Sequence, residues 1–174
     1  MPFENTASRL WKRLSRDERL AAAAAFFSDP PPEGLGSALG AVVKARRLRP
    51  QVARSLPVDE QARALASILD PGETVCASLL VALHLGERRE MLGRFLDALG
   101  LPHEDGVLKE DTDVPSIGVE SARAAVATLS ATYPRHQVET YLNTLWLQDP
   151  ERWDVLSGSD SWLDRVPPGD IPRG

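Results

Sequence analysis

The chain has a single cysteine, Cys76, among its 174 residues. One thiol cannot form an intramolecular disulfide, so the sequence excludes a disulfide scaffold and a zinc site built from cysteines. The first residues, M-P-F-E-N-T-A-S, show no charged leader followed by an apolar run, so we expect no secretory signal. We therefore expect a protein of the reducing cytoplasm.

Valine, isoleucine and threonine are sparse beside alanine and leucine, which favours helices over sheets. Hydrophobic residues make up 43% and charged residues 26% of the chain, as in ordinary globular proteins. We predict an all-α, single-domain bundle of about seven or eight mostly antiparallel helices over residues 1–156. A flexible tail rich in Gly, Pro, Ser and Asp is predicted at 157–174.

The longest apolar run is short for a membrane span. From Val75 to Leu85 only Ser78 and His84 carry polar side chains, whereas a membrane helix needs about 20 apolar residues. The run therefore predicts a buried central helix at 71–85, around which the other helices pack.

The ends of this helix carry residues typical of helix boundaries. Asp70 is expected to be the N-cap, with Pro71 at the first helical position and Glu73 completing a capping box. Gly86 is expected to end the helix in a left-handed conformation.

Similar signals mark other helix ends. The stretch Ser15–Glu18 predicts a capping box, and Gly100 predicts a glycine C-cap. Residues 101–117 are predicted to form the longest connecting loop, and residues 150–156 a last short helix containing Trp153.

Charge is unevenly distributed along the chain. Residues 1–55 carry a balance of +5 and residues 56–174 a balance of −10, within a net charge of −5. No acid lies between Glu33 and Asp59, and this interval holds five cations: Lys44, Arg46, Arg47, Arg49 and Arg54. This basic segment (residues 44–54) either pairs with acids within the fold or binds phosphates or an acidic partner.

The connecting loop predicted at residues 101–117 contains several acidic side chains. Carboxylate oxygens suit a hard cation, but D-T-D-V-P lacks the glycine and distal glutamate of a calcium loop. A metal- or ligand-dependent enzyme using residues 103–113 is accordingly a lesser hypothesis. The residues concerned are His103, Glu104, Asp105, Glu110, Asp111 and Asp113.

No catalytic motif is present: the sequence has no nucleophile elbow, phosphate loop or metal-binding helix motif. Cys76 and His84 share a helix face, but about 12 Å of helical rise separates them, too far for a catalytic dyad. We therefore predict no catalytic residue, no bound metal and no cofactor.

The best-supported function from the sequence is a small intracellular helical interaction or adaptor domain. The expected partner is a protein, and a second copy of the chain is left open. Nucleic acid is the weaker alternative, because the basic segment has no interleaved aromatic residue, and no membrane partner is expected. The candidate contact residues are the five cations of the basic segment together with Trp153 and Trp162.

Overall fold

A computed structural model describes residues 6–109 and 116–157. These residues form nine α-helices, one two-stranded hairpin and a short 3-10 turn, which confirms the predicted all-α fold. The described residues divide into two compact units, an N-terminal unit (Thr6–Glu87) and a C-terminal unit (88–157). The single domain over 1–156 stays a prediction, and the tail at 158–174 lies outside the described residues.

The N-terminal unit contains six helices. These are α1 Ala7–Arg13, α2 Arg16–Ser28, α3 Gly34–Arg46, α4 Pro50–Ser55, α5 Val58–Ala66 and α6 Glu73–Glu87. The core of the unit is the packing of α2 against both α5 and α6, while α1 packs on α6, and α3 packs on α4, α5 and α6.

The predicted central helix is α6, whose buried side chains are Val75, Cys76, Leu79, Leu80, Leu83 and His84. Its predicted start is wrong. The helix begins at Glu73, after Gly72 with φ +105°, and the Cys76 N–H donates to the Gly72 carbonyl at 2.9 Å. Pro71 therefore precedes the helix instead of occupying its first position.

The Glu73 carboxylate caps the start of α1 instead of its own helix, α6. Its Oε1 accepts from the Ala7 N–H at 2.5 Å and its Oε2 from the Ser8 N–H at 2.9 Å. Burial raises the pKa of Glu73, but these two N–H donors outweigh burial, so that its pKa lies below the ordinary value. The predicted capping box is wrong because the first turn of α1 offers two unbonded N–H donors to the same carboxylate.

Gly86 lies within α6 and does not end it in a left-handed conformation. A Cβ atom at Gly86 would lie 2.8 Å from the Cβ of Ala25 in α2. The glycine therefore allows α2 and α6 to approach closely, and its predicted role as a helix stop is wrong.

The described residues of the C-terminal unit form three further helices. These are α7 (Arg89–Ala98), α8 (Val119–Thr132) and α9 (Arg135–Gln148), with α7 packed against α8. Gly100 has φ +69°, and the Gly100 and Leu101 N–H groups donate to the carbonyls of Asp97 and Leu96. The predicted glycine cap of α7 is thus confirmed.

The predicted long loop contains a β-hairpin that the sequence interpretation missed. Strands β1 (His103–Glu104) and β2 (Val107–Leu108) pair antiparallel, with Glu104 opposite Val107. Asp105 and Gly106 both have positive φ, as a type I′ turn requires. A Cβ at Gly106 would lie 2.6 Å from the Leu92 Cβ, so the turn rests directly on α7.

The predicted last helix is also wrong in type. Residues 150–153 form turns and Asp154–Ser157 a 3-10 turn, which places Trp153 in the core at 3% exposure. Its ring centroid lies 5.7 Å from that of Phe95, which also packs edge-on against Tyr141. This burial corrects the expectation that Trp153 is a surface contact, and Trp162 lies outside the described residues.

Candidate functional site

The basic segment lies where α3 ends and α4 begins. Lys44 and Arg46 stand in the last turn of α3, where the negative end of the helix dipole favours cations. Arg47 is the C-cap of α3, Arg49 is the N-cap of α4, and Arg54 lies in the last turn of α4. The end of α3 and both ends of α4 thus carry the five cations within residues 44–54.

All five cations are exposed, and none forms an ion pair with any residue in the described parts of the chain. The next acid along the chain, Asp59, is already bound to Arg63 at 2.6 Å. Cations elsewhere do pair with acids, namely Lys12, Arg63, Arg94, Arg123, Arg135 and Arg152. The basic segment therefore faces solvent with its charge uncompensated by the described residues.

The backbone of Arg47 is left-handed, with φ 52° and ψ 38°. Its N–H donates to the Val43 carbonyl, and the Leu48 N–H donates to the same carbonyl at 3.1 Å. This arrangement ends the helix as glycine commonly does. A side chain in this conformation costs about 1 kcal/mol relative to glycine.

A buried glutamine fixes α4 beneath the segment. The Gln61 Nε2 of α5 donates to the carbonyls of Ala53 at 3.0 Å and Arg54 at 3.3 Å, and Gln61 is only 7% exposed. These bonds satisfy carbonyls at the end of α4 that have no partner within the helix. The short helix is thus held in place, although isolated helices of this length are unstable in water.

Two valines add apolar surface beside the cations. Val52 in α4 is 43% exposed, and Val58 at the start of α5 is 52% exposed. Single exposed apolar residues are common, but here they stand within four residues of Arg54 on either side. The surface combines positive charge with small apolar contacts.

Three features of this site were not recognised from the sequence. The left-handed backbone at Arg47 has no local sequence signal, because no glycine or asparagine stands there. Burial of Gln61 did have a signal, since it lies on the same side of α5 as the buried Leu65 by helical spacing. The exposed valines become informative only when the packing of α4 is known.

The second candidate site predicted from the sequence is the acidic loop at residues 103–113. The His103 Nε2 lies 3.0 Å from Asp97 Oδ1, and its Nδ1 accepts from the Gly106 N–H at 3.2 Å. With both ring nitrogens in hydrogen-bond contacts, His103 joins the hairpin to α7.

The remaining acids of the loop form no metal site within the described residues. A cavity of about 500 Å³ beside the hairpin is lined by Arg89, Glu104, Asp105, Val107, Leu108 and Lys109, which mixes both signs of charge. Glu110, Asp111 and Asp113 lie outside the described residues. The metal- or ligand-dependent enzyme that the sequence leaves open gains no support from these contacts.

Cys76 and His84 are both buried in α6, and Cys76 is fully inaccessible. Burial raises the pKa of the Cys76 thiol to about 11. A nucleophilic cysteine needs a lowered pKa and access to a substrate. Cys76 has neither and acts as a small core residue.

Comparison of the chain with protein-family models, with curated proteins and with solved structures found no match. Across the described ranges, every helix is too short or too polar to cross a membrane.

Proposed function

We propose that this chain is a small helical interaction module that binds an acidic partner protein through the basic segment. The observation that carries the proposal is the exposure of five cations, none of them paired with a described residue. Formation of the complex would supply the missing opposite charge and accelerate encounter with an acidic surface. We also propose that the protein is located in the reducing cytoplasm, where the buried thiol of Cys76 would stay reduced.

A protein partner fits this surface better than a nucleic acid does. Single-stranded nucleic acids are commonly held by aromatic stacking as well as by charge, and residues 44–54 contain no aromatic residue. Exposed Val52 and Val58 offer the apolar contacts that protein interfaces commonly use.

The test is titration of the full chain into a fluorescein-labelled oligoglutamate peptide, followed by fluorescence anisotropy at low and at physiological ionic strength. We expect saturable binding that weakens with salt, because exposed charges are screened. Substitution Arg49→Glu should weaken binding roughly tenfold, which corresponds to about 1.4 kcal/mol. Its fold should be retained, because an acid at the N-terminus of α4 suits the helix dipole.

The matched control is Arg16→Glu, which changes the net charge equally at an exposed position of α2. This variant should bind the peptide nearly as the unchanged protein does. Equal weakening by both substitutions, or absence of peptide binding at low salt, would overturn the proposal. A labelled single-stranded oligonucleotide that binds where the peptide does not would support the nucleic-acid alternative instead.

A further inference from the structure

Arg47 differs from the other four cations in its backbone. Among the described residues other than glycine, only Arg47 and Asp105 have positive φ. Asp105 stands in a type I′ turn, where aspartate is a common residue. Arg47 instead places a long side chain at a position where glycine is the least strained choice.

The fold does not depend on the guanidinium of Arg47. The contacts that end α3 are made by the N–H groups of Arg47 and Leu48 to the Val43 carbonyl, and glycine would make them equally well. Lys44 and Arg46 already bring positive charge to the last turn of the helix. The exposed side chain has no ion pair with any residue between 6 and 109 or between 116 and 157.

We propose that Arg47 is the anchor of the acidic-partner site and that its guanidinium binds an aspartate or glutamate carboxylate of the partner. This inference rests on the proposed function. Arginine presents two parallel N–H donors to a carboxylate, a geometry that lysine cannot reproduce. Because Arg47 lies between the end of α3 and the start of α4, the other four cations flank it along the chain.

The left-handed backbone also fixes the position of the Cα from which the Arg47 side chain extends. The Val43 carbonyl holds both N–H groups of the turn, and Gln61 holds the end of the following helix. The Cα of Arg47 is therefore carried by the hydrogen-bonded end of α3, and the helix that follows it is held at its far end by Gln61. A pre-positioned side chain loses less freedom on binding than one on a mobile loop.

The test compares three variants in the oligoglutamate anisotropy titration, together with their thermal unfolding midpoints. Arg47→Gly should raise the unfolding midpoint and yet weaken binding about tenfold or more. Arg49→Gln removes one charge from the same segment without altering a left-handed position, and it should weaken binding only about threefold. Arg47→Lys retains the charge and should still weaken binding about threefold or more.

These results separate this inference from the proposed function. Equal losses for Arg47→Gly and Arg49→Gln, or full affinity for Arg47→Lys, would show that the segment binds by total charge and that Arg47 is no anchor. Failure of the unchanged protein to bind the peptide would overturn the proposed function itself. A lowered unfolding midpoint for Arg47→Gly would show that the arginine serves the fold, and would also contradict the inference.

Discussion

At the residue scale, Glu73 connects two helices through one carboxylate. The residue begins α6, yet its oxygens accept from the first N–H groups of α1. Asp70 nearby binds Lys12 at 3.0 Å, and this pairing lowers the pKa of Asp70. Acids more than fifty residues further along the chain thus contact both ends of α1, Glu73 at its first N–H groups and Asp70 at Lys12 in its last turn.

Substitution Glu73→Gln should lower the free energy of unfolding by about 1–2 kcal/mol at neutral pH, because two helix N-terminal donors lose a charged acceptor. The folded-state pKa of Glu73 is lower than its ordinary value of 4.5. Its stabilisation is therefore complete above that value and is lost as the pH falls through the lowered pKa. Urea unfolding at neutral pH and below pH 4.5 should show the two proteins converging in acid.

The control for this prediction is Glu87→Gln at the other end of α6. An acid at a helix C-terminus gains nothing from the dipole, so this change should leave stability nearly unaltered. A constant difference between Glu73→Gln and the unchanged protein across the pH range would show that the carboxylate charge contributes nothing.

Helix caps show how much of the fold can be predicted from the sequence at this scale. Ser15 accepts from the Glu18 N–H, and the Glu18 side chain accepts from the Ser15 N–H, as predicted from their spacing. The same spacing at Asp70 and Glu73 misled, because Glu73 lies 66 residues from the Ala7 N–H that it binds. A local pattern cannot show a competing partner that only tertiary packing provides.

At the scale of elements, Gly86 and Gly40 form a natural comparison. A Cβ at Gly86 would meet Ala25 of α2 at 2.8 Å, whereas a Cβ at Gly40 in α3 would meet no described atom within 4 Å. Gly86→Ala should therefore destabilise the protein by about 1–2 kcal/mol through overpacking. Gly40→Ala should stabilise it by about 0.5–1 kcal/mol through helix propensity.

Denaturant midpoints of the two variants measure this difference. Stabilisation by both alanines would show that α2 and α6 separate without penalty.

The hairpin at 103–108 is a second feature of this scale that the sequence interpretation missed. The residues Asp105-Gly106 are a strong type I′ signal, but the strands are only two residues long and lack the alternation by which strands are recognised.

At the scale of the whole molecule, the basic segment was predictable as a charge pattern but not as a site. An interval without acids is visible in the sequence, whereas solvent exposure of all five cations depends on the packing of α3, α4 and α5. Trp153 shows the reverse case. Its residue type suggested a surface contact, and the packing of the C-terminal unit buried it against Phe95.

Because Cys76 is the single cysteine of the chain, labelling of its thiol reports unfolding without a signal from any other residue. Cys76 is inaccessible in α6, and burial holds its pKa near 11, against an ordinary value of 9.0. Unfolding of the N-terminal unit should expose the sulfur and increase its thiolate fraction together. Labelling with an aromatic disulfide reagent at pH 8 should thus be slow in buffer and fast in denaturant.

The rate in buffer should then follow stability, because the reagent reaches Cys76 only in opened molecules. Glu73→Gln and Gly86→Ala should each accelerate labelling about tenfold for every 1.4 kcal/mol of lost stability, and Gly40→Ala should slow it. Cys76→Ala should give no signal, which verifies the source of the label. Equal rates in all folded variants would mean instead that the thiol is reached by a local opening near α6, and that the packing of α2, α5 and α6 is less cooperative than its burial implies.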